Sequence, residues 1–152
     1  MKIFLAGSVS SATDNHVAKY EIYNKVIISI LPKVTLVTPD DIYNFRNSCI
    51  TKNPNFTKLQ IDKLMVDYDL CQVRESNLVV CDISEQSSGM GLELGICKEN
   101  NIKTIFCFQK GSYVSSMIYG AFNDSPFIEY ENMEELGTKL ASAIETLLNR
   151  SS

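Results

Sequence analysis

Short runs of β-branched and aromatic residues alternate along the chain with longer stretches in which apolar residues recur every three or four positions. The first pattern is that of strands covered on both faces, and the second that of amphipathic helices. Strands are predicted at about 2–7, 33–38, 77–82, 102–108 and 126–130, and helices at about 14–31, 57–76, 89–100, 111–121 and 132–149, with a short helical turn near 40–45. Segment 46–56, from Arg46 to Phe56, has loop composition and is expected to form a mobile flap over a site. Regular alternation of the two element types predicts an α/β fold: a doubly wound parallel five-stranded sheet of order 2-1-3-4-5 with helices on both faces. In such a sheet ligands bind outside the carboxyl ends of strands 1 and 3, where the winding reverses. The segments Gly7–Ser11 and Asp82–Gly91 fall there.

Composition narrows the classes. At 152 residues the chain has the length of one domain, expected to span 1–152, and 45% hydrophobic with 21% charged residues is the profile of a folded globular protein. A formal charge of −4 argues against a nucleic-acid groove, which needs a basic stripe, while leaving room for one small phosphate. The five cysteines, Cys49, Cys71, Cys81, Cys97 and Cys107, sit in apolar runs and read as buried reduced thiols. With no CxxC pair and a single histidine, His16, placed at the surface, neither a metal site nor a Cys/His nucleophile pair is expected, and no cofactor is called for. The apolar start Ile3–Ala6 is too short for a signal peptide, and no run reaches the roughly 18 apolar residues of a membrane span, so the expected location is the cytoplasm.

Both loops at the reversal point are rich in serine and glycine, whose amides and hydroxyls can close around an anion; the same residues also populate ordinary βα turns. Glu93 is expected in the first turn of the helix after strand 3, where the helix dipole favours an ionised carboxylate competent as a nucleophile, or where the acid merely complements the dipole. Asp69 shares an apolar flank of its helix with Met65, Val66 and Val73, which draws it inward and raises its pKa, as suits a proton donor. Asp62, Asp67 and Glu75 on that helix read as solvated charges, and Asp82 as a cap for the loop that follows it. Tyr20 and Tyr23, three apart, read as core.

A strand ending in Gly7-Ser8, Asp69 on a helix, the run Ser87-Ser88-Gly89-Met90-Gly91-Leu92-Glu93-Leu94-Gly95 and the later Ser115-Ser116-Met117-Ile118-Tyr119-Gly120-Ala121 together resemble the nucleoside 2-deoxyribosyltransferase superfamily. The closer likeness is to its Rcl branch, the 2′-deoxynucleoside 5′-monophosphate N-hydrolases, and it covers nearly the whole chain. The resemblance implies the Rossmann-like fold and cleavage of an N-glycosidic bond through a glycosyl-enzyme on Glu93, with Asp69 moving the proton of the base. It implies substrate contacts at Phe4, Gly7, Ser8 and Ser10 in the first strand and its loop, and at Ser87, Gly89 and Gly91 in the second. Ser87 stands where the transferases carry an aspartate, which suits a 5′-phosphate. Ser115 and Met117 match a segment that reaches the neighbouring site, so a homodimer is implied. Two positions depart from the pattern. Phe4 replaces a tyrosine whose hydroxyl lies beside the nucleophile, and relatives acting on CMP-type ribonucleotides share that phenylalanine, leaving both deoxyribose and ribose open. Ser10 replaces a phosphate-binding arginine, a loss of about 1.5–3 kcal/mol unless a cation such as Lys19 substitutes. Base exchange between deoxynucleosides and non-catalytic nucleotide sensing are the alternative functions.

Overall fold

In the computed structural model, which describes residues 1–8 and 14–149, eleven elements follow one another among the described residues. They are β1 (Lys2–Gly7), α1 (Asp14–Ile30), β2 (Thr35–Val37), α2 (Pro39–Lys52), α3 (Lys58–Arg74), β3 (Leu78–Asp82), α4 (Ser88–Glu99), β4 (Lys103–Gln109), α5 (Ser116–Ala121), β5 (Phe127–Tyr130) and α6 (Met133–Asn149). All strand pairs are parallel and the order is β2-β1-β3-β4-β5, as the alternation predicts. The chain turns from one side of β1 to the other between β2 and β3, so the carboxyl ends of β1 and β3 frame the reversal crevice, with Gly7 opposite Asp82.

Strict two-residue alternation divides each inner strand between two cores. Phe4, Ala6, Val79, Cys81 and Phe106 face α2, α3 and α4, where they meet Ile42, Val73, Met90, Leu94 and Cys97. Ile3, Leu5, Leu78, Val80, Ile105 and Cys107 face the other way, against Tyr23 and Ile27 of α1 and Leu136, Leu140 and Ile144 of α6. Every residue of β3 is buried, which is why its sequence is a continuous apolar run ending in one acid. Leu136, Leu140 and Ile144, spaced by four along α6, are completely covered, and truncating any one to alanine removes about 2–5 kcal/mol.

Of the expected flap at 46–56, residues 46–52 are instead the body and end of α2, and only 53–56 form a turn. Thr38 caps that helix with Pro39 in its first turn, and the Asp41 carboxylate accepts from the Thr38 backbone N–H at 2.8 Å and from its hydroxyl at 2.9 Å. Ile42 and Cys49, one face of the helix, are buried. Phe45 stacks on Tyr68 of α3 with ring centroids 3.9 Å apart, and Arg46 pairs with Asp62, which Lys58 also engages. Two further expectations shift: α5 begins at Ser116, not near 111, and Cys71 is exposed, while the other four cysteines are buried and all five are free thiols. No helix among the described residues is long and apolar enough to cross a membrane, and none of their acidic, cysteine and histidine side chains gather as a metal-binding group.

Candidate active site

A cavity of about 160 Å³ opens at the reversal crevice. β1 contributes Phe4, Leu5 and Gly7 to it, the amino end of α2 contributes Pro39, Ile42 and Tyr43, α3 contributes Met65 and Asp69 one turn apart, and the start of α4 contributes Ser87, Gly89, Met90 and Glu93. The helical period explains the pairings, since residues 65 and 69, and 89, 90 and 93, stack on one flank of their helices. The α2 and α3 side is therefore apolar and aromatic with Asp69 as its acid, and the α4 side is a serine-glycine helix start that carries Glu93.

Those acids touch. The Asp69 and Glu93 carboxyl groups share a hydrogen bond, while Asp69 Oδ1 and Glu93 Oε2 are both shut off from solvent with no hydrogen-bond partner among the described residues. Burial drives the pKa of each upward; for Glu93 the negative charge of Asp69 and the shared hydrogen bond add to the rise, whereas for Asp69 the same bond works in the opposite direction. The pair thus holds a proton above the usual carboxyl range. This corrects the expectation of an ionised Glu93 in a first helical turn. α4 begins at Ser88, so Glu93 stands in the second turn with no acid in the first, beyond reach of the free amides, and burial outweighs the dipole.

Beneath the crevice, α1 sends three side chains to the strand ends. Lys19 Nζ lies 3.1 Å from Asp82 Oδ1, with both side chains almost fully buried. The hydroxyls of Tyr23 and Tyr130 donate to Asp82 Oδ2 at 2.8 and 3.0 Å, and the Ser84 amide donates to Oδ1 at 3.0 Å. Ser84 Oγ in turn accepts from the Gln109 amide at 2.9 Å. Asp82 therefore caps its loop, as expected, and anchors α1, β4 and β5 to it as well. Lys19 is held by that anchor, so it does not stand in for the absent arginine as a free cation. Tyr20 is half-buried and packs against the core on the α1–α6 side, and its hydroxyl occupies the space a Gly7 Cβ would need, 2.3 Å from that position. Burial first, then the charges of Asp82 and Glu93, push the Tyr20 phenol above its ordinary pKa.

Of the positions singled out from sequence, Asp69, Glu93, Phe4, Gly7, Ser87 and Gly89 line this cavity. Ser87 is the N-cap residue of α4 but makes no side-chain cap bond, which leaves its hydroxyl for a ligand. Ser8 is buried at the end of β1 and is not in the lining; Gly91 faces outward on α4. Ser115 caps α5, accepting from the Met117 amide at 3.3 Å, and Met117 is 80% exposed; neither reaches the cavity of its own chain. Ser10 and the side chain of His16 lie outside the described residues. Sequence reading missed Leu5, Pro39, Ile42, Tyr43, Met65 and Met90 as lining residues. For those of α2 the signal was present in Thr38-Pro39-Asp40-Asp41, a helix start that the loop-like composition of 46–56 obscured.

No family model matches the chain. Among curated proteins it is similar to the 5-hydroxymethyl-dUMP N-hydrolase of Tetraodon nigroviridis, 27% identical over 130 residues that cover 84% of this chain and 85% of that protein. It is 32% identical over 91 residues to the enzyme of the same name from Mus musculus, covering 59% of this chain and 49% of the mouse protein, so it spans about half the length of that relative. Among solved structures the fold is that of the Clostridium botulinum CMP N-glycosidase, with TM-score 0.56, 16% identity and coverage of 92% and 98% of the two chains. It is equally that of a 2-deoxyribosyltransferase from Bacillus psychrosaccharolyticus, with TM-score 0.60, 18% identity and 90% of each chain covered. The chain is thus similar in sequence to the 5-hydroxymethyl-dUMP N-hydrolases and shares its fold with a CMP N-glycosidase and a 2-deoxyribosyltransferase.

Proposed function

We propose that this chain hydrolyses the N-glycosidic bond of a nucleoside 5′-monophosphate, releasing free base and (deoxy)ribose 5-phosphate. The observation that carries the reading is the hydrogen-bonded Asp69–Glu93 pair on the wall of a cavity at the sheet reversal. The pair holds one proton. With that proton on Asp69, the Glu93 carboxylate attacks C1′ as the C1′–N bond breaks, and the base leaves with the proton from Asp69. Asp69, now ionised, then takes a proton from water as the water oxygen attacks C1′; the ester bond to Glu93 breaks and Glu93 departs as a carboxylate. The shared hydrogen bond is the route by which the one proton passes between the two carboxyl groups. The Ser87 hydroxyl and the first amides of α4 hold the 5′-phosphate, with Gly89 giving it close approach. Phe4 packs under the sugar without a hydroxyl to test the 2′ position, which fits either sugar. No metal or organic cofactor enters these steps.

A second copy of the chain completes the site. α4 presents Gly91, Leu92 and Gly95 outward, and α5 presents Met117 and Tyr119, a small and apolar surface on which a homodimer would bring Ser115 to the partner's phosphate. The decisive assay is release of base from a panel of ribo- and deoxyribonucleoside 5′-monophosphates: turnover lost on Glu93→Ala supports the reading, and equal turnover by that variant removes it.

One observation favours a second reading. The described cavity lining holds no lysine or arginine, which suits a neutral nucleoside and base exchange on the same glycosyl-enzyme. Adding an acceptor base and searching for a new nucleoside separates the two.

A further inference from the structure

We propose that Tyr43 is the stacking platform for the nucleobase and that α2 is a fixed wall selecting planar heteroaromatic leaving groups, a proposal that rests on the nucleotide reading above. Two acids in the middle of a cavity do not say which side takes the base. The walls do. The serine-glycine start of α4 suits an anion, while the opposite wall is built of Pro39, Ile42, Tyr43 and Met65, with Asp69 as its only ionisable acid. A base leaving toward Asp69 therefore lies against the α2 side. Tyr43 is the aromatic ring of that wall, and it is 45% exposed although it lines a concave site. A half-exposed ring at a cavity mouth has one face left for a planar partner, and ring stacking on a base is tolerant of base identity because every base offers a π face.

Position matters as much as chemistry. Tyr43 lies five residues after the Thr38 cap, and the Asp41 bonds, the buried Ile42 and the Phe45–Tyr68 stack hold the helix on either side of it. The phenol thus meets a base from a rigid backbone and loses little freedom on binding.

The chain contains no tryptophan, so Tyr43→Trp introduces a single indole reporter. Quenching of its emission by CMP and dCMP but not by ribose 5-phosphate or deoxyribose 5-phosphate is the expected result. In the steady state, Tyr43→Ala raises KM for nucleotides about 5- to 30-fold while inhibition by the sugar phosphate stays within about two-fold of the original, and Tyr43→Phe restores the affinity. The proposal is overturned if Tyr43→Ala keeps the original KM, or if nucleotide and sugar phosphate weaken together. Wild-type base release with unaffected Tyr43 variants sinks this inference alone; base-dependent quenching in a protein that releases no base sinks the hydrolase reading alone.

Discussion

Asp69 on α3 and Glu93 on α4 share one hydrogen bond between their carboxyl groups, and that bond makes the two acids a single titrating unit. Hydrolysis needs one proton on the unit. Activity should therefore fall when the pair is doubly protonated and again when it is doubly ionised, giving a bell-shaped kcat/KM profile whose limbs belong to the pair. Both limbs lie above the ordinary carboxyl range because burial raises both groups. Asp69→Asn removes the proton donor, so kcat should drop by about 10²–10⁴-fold and the alkaline limb should vanish. A profile of unchanged shape in that variant would mean that Asp69 takes no part in proton transfer.

The same burial links the pair to stability. In the folded chain Glu93 binds its proton more tightly than in the unfolded chain, because burial and Asp69 raise its pKa above 4.5. Its stabilising contribution is complete below that value and is lost as pH climbs through the folded pKa. The urea midpoint should decline from about pH 4.5 to about pH 8, and Glu93→Gln should flatten that decline. Asp62, Glu75 and Glu135 run the other way: lysine partners lower their pKa values, so what they contribute is present above the ordinary carboxylate range and disappears as pH falls below it. Acid unfolding and alkaline softening therefore have separate sources, and a midpoint independent of pH above 6 in the wild type would refute the assignment to Glu93.

Asp82 and Lys19 form a buried ion pair inside a ring of hydroxyl and amide donors. Lys19→Met leaves the carboxylate buried without its cation and should cost about 3–5 kcal/mol. Asp82→Asn strands the ammonium instead and should cost a similar amount. Combining the two removes both charges, so the double variant should lose less than the sum, with a coupling of about 1–3 kcal/mol in a denaturation cycle. Strict additivity would show that the pair does not act as a unit.

The sheet was legible because each strand carries its own two-sided apolar run and each long helix its own period; both signals are local, and five parallel strands with intervening helices admit few arrangements. Ser87 and Glu93 could be singled out because loops at a winding reversal converge whatever their details, and Asp69 because it shares the apolar flank of its helix. What sequence could not supply was distance. Glu93 is the sixth residue of α4, out of the dipole's reach, and burial beside Asp69, across two helices, raises its pKa where the dipole was expected to lower it. α2 was misread for a different reason: its polar outer face from Arg46 to Asn53 has loop composition, and only packing of Ile42, Phe45 and Cys49 against neighbours sustains it. Tyr20 was assigned to the core by spacing alone, which does not reveal that a missing side chain at Gly7 opens a path for its hydroxyl.

That path gives a test confined to two residues. Gly7 faces the Tyr20 hydroxyl so closely that a methyl group at position 7 would sit 2.3 Å from the phenol oxygen, with the Asp82 carbonyl oxygen at 3.4 Å and the ring carbon at 3.5 Å as the next neighbours. Backbone strain is not the constraint, because Gly7 lies in a paired strand; the hydroxyl is. Gly7→Ala should then force the phenol aside at a cost of about 1–3 kcal/mol and disturb the cavity edge that Gly7 lines. Tyr20→Phe deletes the clashing atom and leaves only ordinary contacts at 3.4 Å and beyond. The double variant Gly7→Ala with Tyr20→Phe should accordingly recover most of the stability lost by Gly7→Ala alone, as read by urea denaturation. If the second substitution recovers nothing, the glycine is required for a reason other than room for Tyr20, and the crevice floor is built differently from the contact described.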